Sequence, residues 1–198
     1  MHFKQTLEKW VMGTTLALLF THAPAVADAP AAPCPPKGQQ QYFSGQEKWK
    51  KVYSQPGKCS AHFPRNPEYI QQRMQISGDE QEMHYHVYVA DEDRQAVYMV
   101  LIAAYPGQVD DESAVKNLEH FLNVLLSQSP KNKLVSANLV QVQGYPAMDF
   151  FIRNDNVYFR GRAIQANNTL YLLAMECESP NYQEPHFVFF IETFELHN

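Results

Sequence analysis

The chain has 198 residues, 45% of them hydrophobic, and carries 16 Lys and Arg against 21 Asp and Glu. That length suits one packed core rather than several, and the acidic balance excludes the basic surface that nucleic acid or an anionic membrane requires. Lys48, Lys50, Lys51 and Lys58 form a short basic cluster, but no basic stripe with interleaved aromatics follows, so the cluster reads as a solvated face.

The first element is an export signal at 1–27. Lys4 and Lys9 stand against Glu8, an apolar run fills 10–20, and Ala25-Val26-Ala27 supplies the small residues of a signal-peptidase site, with Asp28 as the first mature residue. A cut after Ala29 would place Pro30 beside the scissile bond. The apolar run is shorter than the ~20 residues of a membrane span, so the mature chain is expected in the periplasm or outside the cell, with no stable membrane insertion. Cleavage removes two basic residues and one acidic residue, leaving a net charge near −6.

Residues 28–46 are rich in Pro, Ala and Gln without apolar period, and read as a flexible arm ahead of a single domain at 47–198. Strand signals follow at 58–63, closed by Pro64 and Pro67, and more weakly at 73–77, ended by Gly78-Asp79. At 82–89 apolar and polar residues alternate, with Met83, Tyr85, Val87 and Val89 on one face and His84, His86 and Tyr88 on the other. After the turn Asp91-Glu92-Asp93, the run 96–105 is apolar on both faces, the mark of a strand covered on both sides.

Asp110, Asp111 and Glu112 put negative charge at a helix start, and Val115, Leu118, Phe121, Leu122 and Leu125 recur at helical spacing until Pro130. Four more strands are expected at 133–143, 147–153, 156–166 and 169–177, with hairpin turns at Asn154-Asp155 and Asn167-Asn168. Phe187, Phe190, Ile191 and Phe194 lie on a closing helix after Ser179-Pro180-Asn181. Strands, helix, strands, helix, joined by short hairpins, specify an α+β fold: an antiparallel sheet of about six to eight strands flanked by helices in an α/β/α sandwich.

Three cysteines in an exported chain allow one bridge. Cys34 sits in the Pro-rich arm, where Ala31 and Pro33 also exclude a lipobox, whereas Cys59 and Cys177 both fall in strands. Cys59–Cys177 is the first pairing, Cys34–Cys59 the second, and three free thiols the third.

The sequence holds no nucleophile elbow, metalloprotease helix, phosphate loop, dinucleotide glycine pattern or Cys-x-x-Cys. His84 and His86, two apart on a strand, share a face and could ligate a metal. With a four-residue hairpin at 91–94, His86 falls opposite Met99 and His84 opposite Leu101, so Met99 would add a thioether and favour copper. The alternative is two ordinary histidines on the less apolar face and a core methionine.

The register of the 147–166 hairpin locates a second candidate. A three-residue loop at 154–156 would mix apolar and charged groups on one face. A two-residue loop, Asn154-Asp155, collects Met148, Phe150, Ile152, Val157, Phe159, Gly161 and Ala163 on one apolar face. On the other face it sets Asp149 opposite Arg160 and Phe151 opposite Tyr158, with Arg162 one step further. These pairs either support the sheet or leave Phe151, Tyr158, Arg160 and Arg162 as a partner-binding patch, since aromatics and Arg dominate binding hot spots.

Phe63-Pro64 at the end of the first strand, the central helix, the turn Gly144-Tyr145-Pro146-Ala147 and the closing Phe190-Ile191-Glu192-Thr193-Phe194 together resemble the PsbP-like fold over about 57–196. That group includes the extrinsic subunit of photosystem II, a nuclear Ran-binding protein and many exported bacterial proteins. The resemblance implies a non-enzymatic accessory or binding domain, and no cofactor is expected. Two function classes stay open, an exported accessory protein contacting another protein or a periplasmic binder of a small molecule or copper, with a hydrolase as the third.

Overall fold

The structure, a computed structural model, describes residues 48–75, 82–105 and 109–197. The chain divides into two units, and the one spanning 42–74 and 82–198 is the unit described below. The export signal, its boundary at Asp28, the arm at 28–46 and Cys34 lie outside the described residues.

Among the described residues ten strands and two α-helices follow the alternation of the sequence: β1 (Lys50–Ser54), β2 (Cys59–Phe63), β3 (Glu68–Gln75), β4 (Glu82–Glu92), β5 (Ala96–Ala104), α1 (Asp111–Ser127), β6 (Asn132–Val142), β7 (Tyr145–Asn154), β8 (Val157–Ala166), β9 (Thr169–Glu178), α2 (Glu184–Glu192) and β10 (Glu195–Leu196). A seven-stranded sheet runs in the order β3-β4-β5-β9-β8-β7-β6, and a three-stranded sheet in the order β1-β2-β10. β1 with β2, β2 with β10, and each neighbouring pair from β4 through β5, β9, β8 and β7 to β6 run antiparallel. The α+β class and the large antiparallel sheet are therefore as expected.

The flanks differ from a sandwich made by helices alone. On one face lies α1, whose Ala114, Leu118, Leu122 and Leu125 are buried beside Met148, Phe150, Ile152 and Ala163. Its start is fixed by Asp110, which accepts a hydrogen bond from Ser113 N at 2.7 Å. On the other face Tyr98, Val100, Ile102, Ile164, Leu173 and Met175 share a core with Ala61 and Phe63 of β2 and with Phe187 and Phe190 of α2. The small sheet thus takes a place assigned to helix. Lys51, one of the basic cluster, lies in β1 and pairs with Glu195 at 2.6 Å, so β1 and the two-residue β10 form strands too short to show a period in sequence.

The central strands carry the cover predicted for them. In β5, Tyr98, Val100 and Ile102 on one face and Met99 and Ala103 on the other are all buried. Each fully buried large side chain contributes roughly 1.5–3 kcal/mol. Trp49 closes one end of this core, its ring 4.8 Å from Tyr98 and 5.5 Å from Phe189 in edge contacts.

The β4–β5 loop is shorter and later than expected. Asp91 and Glu92 remain in β4, and the turn uses Asp93 and Arg94, both with positive φ (47° and 62°), closed by Gln95 N donating to Glu92 O at 2.8 Å. His86 consequently pairs with Ile102, and Met99 with Val89. A shift of three residues is odd, so it moves Met99 to the opposite face of the sheet from His84 and His86.

The β7–β8 hairpin also shifts, by two residues in the partner strand. Its turn is Asp155-Asn156 rather than Asn154-Asp155: Asn154 pairs with Val157, Asp149 with Arg162, Phe151 with Arg160 and Phe150 with Gly161. Asn154 stays in the strand because its side chain donates to Asn132 Oδ1 at 2.7 Å, and Asp155 takes the positive φ of 49°. An even shift preserves both faces, so the predicted apolar and polar sets stand. The new register sets the Phe150 ring over Gly161, where an added Cβ would lie 2.4 Å from Phe150 Cζ. Only glycine leaves that space.

Candidate functional site

The polar face of β7–β8 meets the closing segment of the chain. Phe151 packs edge-on against Tyr158 at 5.0 Å between centroids and stacks on Tyr182 at 5.6 Å, and Tyr158 meets Tyr182 edge-on at 5.6 Å. Arg160 donates from Nη1 to the Tyr182 hydroxyl and to the Glu184 carboxylate, while Tyr182 donates to Glu184. The Arg160 guanidinium also lies 4.8 Å from the Phe187 ring centroid and 5.8 Å from that of Phe151. Burial pushes the Tyr182 hydroxyl above its ordinary pKa, against the opposing pull of the Arg160 charge.

Arg162 works differently. It clamps Asp149 through Nε–Oδ1 at 2.6 Å and Nη2–Oδ2 at 2.8 Å and reaches Glu192 of α2 at 3.2 Å. Burial alone would lower its pKa, but the hydrogen bonds and charge of Asp149, then of Glu192, outweigh that and hold it above the ordinary value. Its side chain is only 12% exposed, against 26% for Arg160.

The structure therefore brings Phe151, Tyr158, Arg160 and Arg162 onto one face, as the sequence predicted, and adds Tyr182, Glu184 and Glu192. These three come from a connector and helix with no periodic signal pointing toward β7–β8. The connector enters through the 3₁₀ turn Ser179–Asn181, with Ser179 N donating to Asn156 O at 2.7 Å. The face is a braced aromatic surface, half-buried rather than open.

The copper set is not assembled. Met99 faces α1's side of the sheet, and the His86 ring instead stacks on Tyr69 at 6.1 Å, with Tyr69 Oη 2.8 Å from His86 Nδ1. Burial, then the neighbouring His84, lowers the His86 pKa. Among the described residues no group of three or more His, Cys, Asp and Glu side chains is arranged to hold a metal.

The Cys59–Cys177 bridge is likewise corrected: both are buried free thiols. Gly57, whose added Cβ would sit 3.3 Å from Cys59 Sγ, packs on Ile102, the partner of Tyr171. Cys177 pairs with Ala96 at the other end of the same strands. Six residues of strand separate these ends, roughly 20 Å, far beyond the ~7 Å limit on Cα separation in a disulfide.

One further polar cluster was not legible. On the three-stranded sheet Lys51 pairs with Glu195 at 2.6 Å, and Ser60 Oγ lies 3.0 Å from His197 Nε2 and 3.4 Å from Glu195. The carboxylate contacts the hydroxyl rather than the imidazole, so the serine–histidine contact lacks the orienting third group of a nucleophilic triad. A cavity of about 10 Å³ between Val52, Cys59, Tyr88 and Val100 has room for a single water.

The solution structure of cyanobacterial PsbP (CyanoP) from Synechocystis sp. PCC 6803 matches this chain with a TM-score of 0.55, covering 85% of this chain and 100% of that one at 12% sequence identity. The fold is PsbP-like. No protein-family model and no curated protein sequence matches the chain. The PsbP-like domain here combines the large antiparallel sheet with the braced ring cluster, and no helix among the described residues is long and apolar enough to cross a membrane.

Proposed function

We propose that this chain is an exported accessory protein without enzymatic activity that binds another protein through the Phe151–Tyr158–Tyr182 ring cluster, with Arg160 and Arg162 at its side. The export signal at 1–27 supports the compartment, and the PsbP-like fold, shared with cyanobacterial PsbP (CyanoP), supports an accessory role. The observation that carries the reading is the ring cluster itself. Three aromatic rings lie within 5.0–5.6 Å of one another, held by Arg160 and Glu184, yet each stays partly exposed. Rings fixed before contact lose little rotamer entropy on binding, which is what a partner-facing aromatic anchor requires.

The test is quantitative capture from the native periplasm by the exported chain and by a Tyr158→Ala, Tyr182→Ala variant. A single stoichiometric partner held at least tenfold more weakly by the variant, with its far-UV circular dichroism unchanged, supports the reading. Equal capture by both chains overturns it.

A further inference from the structure

We propose that the β6 edge is a homodimer interface, in which two copies pair their β6 strands antiparallel about a two-fold axis at Ala137 and merge their sheets. Among the described residues β6 is the terminal strand of the seven-stranded sheet, and β7 is its one bonded neighbour there. All seven residues from Lys133 to Leu139 are exposed. Leu134, Val135 and Leu139 are 45%, 55% and 54% exposed, and they are three of the five large apolar side chains exposed among the described residues. Natural proteins blunt such edges with charge, bulges or cover. Here Lys133 is the only charge in the strand, and a bulge between Leu134 and Ser136 is the only irregularity.

The bulge decides which copy fits. Leu134 pairs with Ile152, Ala137 with Phe150 and Leu139 with Met148, so Leu134, Ala137 and Leu139 share one face although 134 and 137 differ by an odd number. Counted along the ladder with Val135 bulged out, the strand reads alike in both directions from Ala137. A small polar residue comes first on either side (Ser136, Asn138), then a leucine on the shared face (Leu134, Leu139). A two-fold axis at Ala137 therefore sets Leu134 of each copy against Leu139 of the other, twice, and Ser136 against Asn138. It also sets Lys133 against Val140 rather than against its own copy, so no like charges meet. A peptide of another protein would need no such symmetry in this strand; a second copy does.

An edge-to-edge contact falls at the small end of specific interfaces, so the dissociation constant is expected at about 1–100 µM. The test uses the full chain purified after export with Cys34→Ser. Analytical ultracentrifugation should show a monomer–dimer equilibrium in that range. Leu139→Lys should weaken it at least tenfold with no change in the melting temperature measured well below the dissociation constant, where both chains are monomers and the side chain is exposed. Ala137→Cys should form a disulfide-linked dimer on mild oxidation. Gln141→Cys should not, because the register holds the two copies of that residue roughly 27 Å apart. A chain still monomeric at ~0.5 mM, an open-ended polymer, or equal cross-linking at 137 and 141 would each overturn the proposal. The Tyr158→Ala, Tyr182→Ala variant should dimerise normally, which separates this interface from the ring cluster.

Discussion

Arg162 and Asp149, directly opposite each other on β8 and β7, are joined by two parallel hydrogen bonds of 2.6 Å and 2.8 Å. The planar guanidinium matches the carboxylate fork, and the low exposure of Arg162 makes the pair one unit of the sheet rather than a surface ornament. Asp149→Ala strands the Arg162 charge with Glu192 alone and is expected to cost about 2–3 kcal/mol in urea denaturation. Lys131–Asp155 serves as the control. Both of its side chains are 64% exposed, and Lys131→Ala, which leaves the positive-φ turn residue Asp155 in place, should leave the unfolding midpoint where it was. Equal effects at the two sites would refute the distinction.

Gly161 and Phe150 make a second cross-strand unit. Gly161→Ala drives a methyl into the Phe150 ring, which is 2% exposed and has nowhere to move. A loss of roughly 1–3 kcal/mol is expected. Phe150→Leu alone should also destabilise, but in the Gly161→Ala background its cost should shrink, because the smaller side chain relieves the clash. Strict additivity in that double-mutant cycle would show that the two residues do not touch.

Glu176 gives the molecule a pH dependence. Burial pushes its carboxyl up to about 7 from the ordinary 4.5. Between those two values the folded chain holds a proton that the unfolded chain has lost, so stability falls as pH rises from about 4.5 to 7 and stays lowered above that. The full effect is up to roughly 3 kcal/mol. Glu176→Gln should flatten that slope and be the more stable chain at alkaline pH. Urea midpoints that fall in parallel with pH for both chains would remove Glu176 as the cause.

The two described thiols should be inert in the folded state. Burial raises Cys59 to about 12 and Cys177 to about 11, so almost no thiolate is present near neutral pH. In a Cys34→Ser background, Ellman's reagent should count no fast-reacting thiol before denaturation and two after it. Prompt native labelling, or a loss of both thiols to a bridge in secreted material, would contradict the free, buried pair.

Local chemistry was enough to read most elements. Asp110 and the spacing of Leu118, Leu122 and Leu125 fixed α1, the doubly apolar run at 96–105 announced the central strand Ala96–Ala104, and Asn167, with φ of 51°, made the turn between β8 and β9. Period two alone also assigned the faces of β4, β7 and β8, because any even slip leaves a face unchanged. What period two cannot supply is the pairing itself. Asp149 met Arg162 rather than Arg160 because Asn154 was held by Asn132 and Phe150 needed the space above Gly161, and Met99 left the histidine face because Asp91 and Glu92 extended β4 before the turn. The contacts Phe150–Gly161, Asp149–Arg162 and Asn154–Asn132 join residues 11 to 22 positions apart, invisible to a local pattern. The same limit explains the closing segment. Tyr182, Glu184 and Glu192 reach the β7–β8 face only after the whole sheet has formed, and Cys59 and Cys177, alike in sequence as buried strand cysteines, are parted by the length of β9. Alternation and capping are local free energies and could be read directly; register, cover and the ring cluster depend on which distant side chains compete for the same space.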